Sequence, residues 1–480
     1  MPTITEPTVA KPLNEFERLL QAQQTHFKSI VRGTDVSLRI DKLNRLKKWI
    51  ISHQDDIRKA IFEDFRKPEP EVDNFDIKPV LMEIEQAKTH LAEWTAPRNV
   101  SGGMLFTGAS GQIVYEPKGV VLIIAPWNFP FMLALGPLVS AVAAGCCVVL
   151  KPSEVTPNTA ELIYRMIDEL FKEEEIAVRL GDAQVSQALL KLPFDHIFFT
   201  GSPEIGRVVM RAAADNLTSV TLELGGVNPC IIDESADIRD TAEKMIWGKF
   251  FNCGQSCLSI NYACVHHRVY DRLIRELKAA LDRMYGTAEA MSENPDYGRI
   301  VNKHHFGRVK LLLDGSVEAG AECIVGGECD GNQSFITPTI LKDVPDDAPI
   351  MHNEIFGPLL GLRKYKDLQE VIDLINAKPK PLAIYVFASN KNMINTVINN
   401  TLAGATCIND TTIHFSHPNL PFGGVGQSGM GKAHGYHGFM AFTNERSVLR
   451  QRRGLTSFKL VYPPYTAKVK QTIQLVMKYL

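Results

Sequence analysis

An α/β protein with two doubly wound domains and a small β arm is what this sequence predicts, and three observations carry that expectation. Continuous β-branched runs, GVVLIIA (119–125), CVVLKP (147–152) and SVTLELGG (219–226), alternate with helical patterns, as in a parallel sheet covered on both faces. A second series of the same kind follows beyond residue 270. With 480 residues the chain also exceeds what one hydrophobic core usually supports.

The elements can be taken in chain order. Residues 1–16 are rich in Thr and Pro and lack an apolar stretch, so they read as a loose tail and not as a secretory signal. Over 14–98 apolar residues recur at helical spacing, for instance Leu43, Leu46, Trp49 and Ile50, predicting amphipathic helices. Residues 105–117 alternate like a pair of strands. The stretch 119–150 carries no charge, yet Pro126, Asn128, Pro130, Gly136, Pro137 and Gly145 interrupt it. It therefore reads as a strand, a loop, a buried helix over 131–144 and a second strand, because broken backbone is not tolerated in lipid. A helix at 161–171, a strand at 195–201, a helix from about Glu204 and the strand at 219–226 complete the first series. The second has a helix at 271–284, a strand at 321–327, a helix near 368–376 and a strand at 382–389. No core element is evident from Leu420 until Phe439.

Composition narrows the function classes. Hydrophobic residues make up 45%, charged residues 22%, and the formal net charge is −2, which points away from a nucleic-acid partner. Nine cysteines, an odd number scattered through apolar segments, fit a reducing compartment, so a cytoplasmic location is expected.

Several segments carry candidate chemistry. In Asn252-Cys253-Gly254-Gln255-Ser256-Cys257 a cysteine lies in a glycine-containing turn with room beside its sulfur, although a buried core thiol fits the same residues. A zinc site from Cys253, Cys257, His266 and His267 is weak, because adjacent histidines on an extended chain point to opposite faces, and no metal is expected. Glu223 closes a buried strand before Gly225-Gly226, where open α/β sheets bind ligands. Asn128 stands in a loop stiffened by Pro126 and Pro130. Thr200-Gly201-Ser202-Pro203-Glu204-Ile205-Gly206 is a strand-to-helix turn that suits a phosphate or is simply a helix cap. Lys151-Pro152-Ser153-Glu154, Glu354-Ile355-Phe356-Gly357-Pro358 and the Gly-rich 421–429 read as turns out of context.

Taken together, in this order and spacing, these motifs resemble the aldehyde dehydrogenase superfamily over about residues 30–460, with Cys257 following Glu223 by 34 positions. The segments Asp195-His196-Ile197-Phe198-Phe199-Thr200-Gly201-Ser202, Lys380-Pro381-Leu382-Ala383-Ile384-Tyr385-Val386-Phe387 and Tyr462-Pro463-Pro464 are similar to its class 3 branch, which includes fatty-aldehyde and coniferyl-aldehyde enzymes. Phe129 and Val227-Asn228 depart from that branch, where Tyr and Lys-Ser are usual.

The resemblance implies oxidation of an aldehyde to a carboxylic acid. Cys257 would form a thiohemiacetal and then a thioester, the Asn128 amide and the Cys257 N–H would hold the oxyanion, and Glu223 would activate the hydrolytic water. It assigns the adenosine ribose to Lys151 and Glu154, the pyrophosphate region to Gly201, Ser202 and Gly206, the nicotinamide ribose to Glu354, and the nicotinamide surroundings to Phe356 and Trp127. NAD is expected, with NADP also accommodated. Phe131, Phe250, Phe251 and Tyr262 lie beside the motifs, where they either line an apolar approach for medium-chain aliphatic or aromatic aldehydes or are in part plain core residues. A homodimer is implied, with no nucleic acid and no membrane as partner. The implied domains are 1–98 with 118–224 for NAD(P) binding, 225–410 for catalysis, 99–117 with 411–445 as an oligomerisation arm, and 446–480 as a C-terminal tail. A CoA-acylating dehydrogenase is disfavoured by Glu223, and a silent binding protein by the presence of Cys257, Asn128 and Glu223 together.

Overall fold

The computed structural model describes residues 14–103, 106–287, 291–454 and 456–478. Most of the tail expected over residues 1–16 therefore lies outside the described residues, while Asn14 already caps a helix, Glu15–Ser29, by accepting from the Glu17 N–H. The expected helical flank forms as Val36–Ser52, Gln54–Phe65 and Lys78–Thr95.

Eighteen strands make four sheets among the described residues. A three-stranded antiparallel arm joins β1 (Arg98–Val100), β2 (Ala109–Pro117) and, far along the chain, β18 (Thr443–Gln451). The strand pair expected at 105–117 is thus a single strand, paired with nearby β1 on one side and with distant β18 on the other; Leu105 lies outside the described residues. β18 pairs with β2 along its whole length, from Thr443 opposite Pro117 to Gln451 opposite Ala109, and so runs past residue 445.

The first large sheet contains β3 (Val120–Ile124), β4 (Cys147–Lys151), β5 (Ile176–Val178), β6 (His196–Gly201) and β7 (Ser219–Leu224) in the spatial order β7-β6-β3-β4-β5, all parallel. The order reverses between β3 and β6, which opens a crevice at the carboxyl ends of the strands. The helix Met132–Ala144 fills the space against this sheet with eleven of its thirteen residues buried, which explains why its sequence is apolar all round.

The second large sheet runs β10 (Glu322–Val325), β13 (Thr339–Lys342), β14 (Leu359–Tyr365), β9 (Tyr262–His266), β8 (Pro229–Ile232), β15 (Ala383–Phe387) and β16 (Ala405–Ile408), with only β10 antiparallel. A small hairpin of β11 (Cys329–Asp330) and β12 (Phe335–Ile336) flanks it. The Gly-rich segment beyond Leu420 supplies two elements that its composition conceals. These are β17 (Gly429–Met430), antiparallel to β7, and the helix Gly435–Ala441. A final helix, Ala467–Lys478, lies within what reads from sequence as a tail.

One buried ion pair fastens the helical flank beneath this frame. The Lys67 ammonium lies 2.6 Å from Asp76, both side chains fully shielded from solvent, and the cation sits 4.1 Å over the Phe129 ring. Asp76→Ala would strand the Lys67 charge, so a loss of about 3–5 kcal/mol is expected in urea unfolding. A loss under 1 kcal/mol would show that the pair is dispensable.

Candidate active site

The carboxyl ends of the first sheet face the amino-terminal edge of the second. β3 runs into Trp127-Asn128, β6 into Gly201-Ser202 and β7 into Glu223 and the turn Gly225-Gly226, while β9, β14 and β15 begin just after Cys257, Gly357 and Lys380. Between them lies a cavity of about 580 Å³ whose wall includes Trp127, Asn128, Gly201, Ser202, Glu223, Cys257, Glu354 and Phe356. Of the catalytic and cofactor residues that the resemblance implies, Lys151, Glu154 and Gly206 are outside that wall. Lys151 ends β4 and donates to Glu154 at 2.5 Å. Gly206 packs against Leu224, where a Cβ would sit 2.8 Å from its methyl carbon.

The loop carrying Cys257 is held in a costly conformation. Asn252 (φ 52°), Cys253 (φ 55°) and Gly254 (φ 70°) are left-handed in succession, and each non-glycine residue there costs roughly 1–2 kcal/mol. Gly254 has no alternative, because a Cβ would lie 2.2 Å from the Gly357 carbonyl oxygen. The strain is offset by buried hydrogen bonds. The Asn252 N–H donates to Glu71 (2.8 Å) and its side-chain amide to the Asn128 carbonyl (2.8 Å), while Gln255 donates to the Arg299 carbonyl (3.0 Å). Asn228 donates to the carbonyls of Cys257 (2.7 Å) and Ser259 (3.2 Å). Cys253 is turned away, with its Sγ 3.3 Å from the Tyr297 hydroxyl in the core.

Electrostatics separate the titratable groups of the cavity. Burial, reinforced by the Glu354 and Glu223 carboxylates, pushes the Cys257 thiol up to about 12. Burial likewise holds Glu223 well above the usual carboxylate range against the opposing pull of the Lys432 ammonium. Neither Glu223 oxygen has a hydrogen-bond partner among the described residues, so a strand-end carboxylate stands bare in the cavity. Asn128 spends one of its two amide N–H donors on the Gln255 carbonyl at 3.1 Å, leaving a second donor in its inventory.

The opposite part of the wall suits a dinucleotide. Ser202 caps the helix Pro203–Asp215 by accepting from the Ile205 N–H, and the positive end of the helix attracts an anionic group. Glu354 is raised to about 7 by burial, its Oε1 has no partner, and a Cβ on Gly225 would lie 2.1 Å from its carboxylate. A ribose hydroxyl would satisfy that oxygen. Arg308, unremarked in the sequence, fixes this loop by donating to the carbonyls of Glu354 (3.0 Å), Ile355 (2.6 Å) and Phe356 (3.2 Å). Trp127 packs edge-on to Phe356 at 5.3 Å and against His305 at 4.7 Å.

A single model of the aldehyde dehydrogenase family matches residues 8–448. The chain belongs to that family. This aldehyde dehydrogenase is 42% identical to the 4,4'-diaponeurosporen-aldehyde dehydrogenase of Staphylococcus aureus, with 91% of this chain and 94% of that protein covered. It superposes on the substrate-bound structure of Staphylococcus aureus AldH with a TM-score of 0.92 at 40% identity, covering 97% and 100% of the two chains. An indole-3-acetaldehyde dehydrogenase solved as its NAD+ complex is similar at 25% identity and a TM-score of 0.83, covering 91% and 89%. The enzyme oxidises aldehydes, and solved structures of proteins similar to it hold NAD+.

The substrate side of this aldehyde dehydrogenase corrects one detail of the aromatic lining. Phe251 is on the wall, but Phe131, Phe250 and Tyr262 are core residues at most 1% exposed. Phe75, Phe129 and Trp247 line the cavity with Phe251. Phe75 is delivered by a π-helical turn, Asp73–Ile77, and its ring lies tilted against Phe251 with centroids 4.6 Å apart. Among the described residues no helix is long and apolar enough to cross a membrane.

Proposed function

We propose that Cys257 is the nucleophile, Glu223 the base for deacylation and Asn128 an oxyanion donor, in the oxidation of medium-chain aliphatic or aromatic aldehydes to acids. The observation that carries this is the opening of all three side chains into one cavity between the two sheets. Cys257 adds through sulfur to the carbonyl carbon, and the thiol proton leaves to a base. The resulting oxyanion meets the Asn128 amide and the Cys257 N–H; one such donor contributes roughly 3–4 kcal/mol to the transition state. NAD, when bound, accepts the hydride that leaves the carbonyl carbon. Glu223 then draws a proton from water, the hydroxide equivalent adds to the Cys257 thioester, the C–S bond breaks, and the acid departs as the thiol is restored. Phe75, Phe129, Trp247 and Phe251 give the cavity an apolar aromatic wall that disfavours charged substrates.

Gly201, Ser202 and Gly206 would hold the pyrophosphate region, Glu354 the nicotinamide ribose, Phe356 and Trp127 the nicotinamide surroundings, and Lys151 with Glu154 the adenosine ribose. Glu154 is the group that disfavours a 2′-phosphate by like charge. In Glu154→Ser, kcat/KM with NADP relative to NAD is expected to rise roughly 10-fold, the equivalent of about 1.4 kcal/mol. An unchanged ratio would remove Glu154 from cofactor selection.

The cofactor unit is assigned to 1–98 and 118–224, the catalytic unit to 225–410, and the arm to 99–117 and 411–445 with the continuation of β18. A homodimer through the arm is supported by β18 being a nine-residue edge strand. All nine cysteines are free thiols, which supports a reducing, cytoplasmic setting. The experiment is reduced-cofactor formation from hexanal and benzaldehyde without CoA. Turnover supports hydrolytic release, whereas turnover only on adding CoA overturns the role of Glu223.

A further inference from the structure

Five glycines fall between residues 423 and 431, more than a turn requires, and this backbone lies flat along β7, the strand that carries Glu223. Gly429 stands opposite Glu223 and Met430 opposite Leu222, and the Leu224 N–H donates to the Ser428 carbonyl at 3.1 Å. Side chains would prevent this approach. A Cβ on Gly429 would collide with the Leu222 carbonyl oxygen, and one on Gly431 would lie 3.0 Å from the Thr221 hydroxyl. Gly423 is where the segment meets the carboxylate: a Cβ there would lie 2.9 Å from Glu223 Oε1 and 3.0 Å from Lys432 Cδ. Carboxylate and lysine stem therefore converge on one point that only a glycine leaves open.

Lys432 approaches Glu223 from behind. Glu223 is on the wall of the cavity, whereas Lys432 is half-buried outside that wall. Its ammonium donates to the carbonyls of Gly423 (2.5 Å) and Gly424 (3.4 Å), so the charge is tied to the same glycines. An ammonium has three N–H donors, and the acceptors beside it without a partner among the described residues are the two Glu223 oxygens. Among the described residues, the other titratable groups around the pair supply no second unpaired cation. The Cys257 thiol faces Glu223 from the cavity, and burial keeps it protonated. His196 lies 3.1 Å from Thr221 Oγ1 on the Glu223 face of β7, and His437 faces Lys432; burial lowers both, so each is neutral near about pH 7. His434, two residues beyond Lys432, is paired with Glu83 at 2.6 Å. Lys432 itself is pulled down by burial and supported by the Glu223 carboxylate.

We propose that Lys432 is a positioning residue for the hydrolytic step, whose charge behind Glu223 holds that side chain as a carboxylate ready to take a proton from water. This role rests on Glu223 being the base for deacylation. An opposite charge at close range favours the ionised form, and burial strengthens the effect. Water gives its proton to Glu223, the hydroxide equivalent adds to the acyl carbon, the C–S bond breaks, and the Cys257 thiolate leaves. The proton passes from Glu223 to that sulfur or to solvent, and Lys432 keeps its own charge throughout. Because the cation stands behind the carboxylate, the front of the cavity is left to water and the acyl group.

The test is the decay of the acyl-enzyme, formed by mixing excess enzyme with hexanal and NAD and followed by intact mass after acid quenching, from about pH 6 to about pH 10. Wild-type decay should quicken with pH through one rising limb. In Lys432→Gln, which keeps an N–H donor for the Gly423 carbonyl but no charge, the limb should move up by about 1 pH unit or more, so that decay near about pH 7 slows roughly 10-fold. Lys432→Met should shift the limb the same way, and Lys432→Arg should keep it near the wild-type position. The burst of reduced cofactor should stay within roughly three-fold of wild type in all three, because acylation precedes the step that Glu223 serves. A limb unmoved in Lys432→Gln and Lys432→Met, or a decay slowed equally at every pH and not rescued by Lys432→Arg, overturns the role of Lys432. A limb that persists in Glu223→Gln overturns Glu223 as the base, and the role of Lys432 falls with it.

Discussion

Cys257→Ala is expected to abolish aldehyde oxidation, lowering kcat by roughly 10⁴-fold or more, because removing a nucleophile from a concerted site eliminates the covalent route altogether. The side chain is a small part of the loop's structure. What positions the loop is main chain and neighbours: Asn228 on the Cys257 carbonyl, Glu71 on the Asn252 N–H, and Gln255 bridging to Arg299. None of these contacts involves the thiol, so the variant should fold, and tryptophan quenching by NADH should persist. The neighbouring thiol gives a control. Cys253 points at Tyr297 in the core, and Cys253→Ala should leave turnover within roughly three-fold. Loss of activity with iodoacetamide should track alkylation of Cys257 read by peptide mass, separately from the exposed Cys323, and the Cys257 adduct should be missing in Cys257→Ala. Retained turnover in Cys257→Ala with loss in Cys253→Ala would transfer the chemistry to the wrong face of the loop and sink the reading. Burial holds the Cys257 thiol near 12, so inactivation by alkylation should quicken steadily as pH is raised, with no plateau below pH 9 or so.

How much of this was legible beforehand differs from one residue to the next. The strand before Glu223 was readable because six consecutive residues, Ser219–Leu224, are β-rich and end at a glycine pair, and the structure places that carboxylate at a strand's carboxyl end. The helix 132–144 was readable from its broken charge-free run. By contrast β5, three residues long, and β17, two residues long, carry too few side chains to show a period. β9 and β14 are central strands of the second sheet yet escaped notice: each follows a motif whose turn residues dominate the local pattern. Long-range contacts left no local trace. Glu71 and Asn252 are 181 positions apart, and the bond between them is visible only once the π-helical turn next to Glu71 is folded. Asn228 looked like a departure from the class 3 pattern, and its role in gripping the Cys257 loop appears only in three dimensions. The aromatic lining was left undecided between cavity and core for the same reason. Phe131, Phe250 and Tyr262 adjoin the motifs in sequence, but helix and strand periodicity turns them into the core, while Phe75 and Trp247 arrive from other segments.

Glu223→Gln separates the two halves of the reaction and should have the second-largest effect. Glutamine keeps the shape of the side chain but cannot take a proton from water, so acylation proceeds and hydrolysis stalls. Mixing the variant with hexanal and NAD should give a burst of reduced cofactor close to one equivalent per Cys257, followed by a steady rate lowered roughly 10²–10⁴-fold, and intact mass should show the acyl group on the chain. The pH dependence follows from the direction of the shift. Burial holds the carboxyl protonated well above the usual range, so the base-competent fraction grows as pH rises, and the wild-type steady rate should climb with pH where deacylation limits it. Gln lacks that titration, and its slow rate should lose the rising limb. Stability should move the opposite way to activity. A group whose folded pKa is raised contributes fully only below its unfolded value near about 4.3 and loses that contribution as pH rises toward the folded pKa. At pH 8 the wild type must hold this carboxylate bare or protonated against solvent, with both oxygens unpartnered, whereas a neutral amide carries no such charge penalty. Glu223→Gln should therefore melt at a higher temperature than wild type at pH 8, with the gap narrowing toward pH 4. A variant with no burst, no acyl adduct and a lower melting temperature at pH 8 would show that Glu223 serves the loop's structure and not the hydrolytic step.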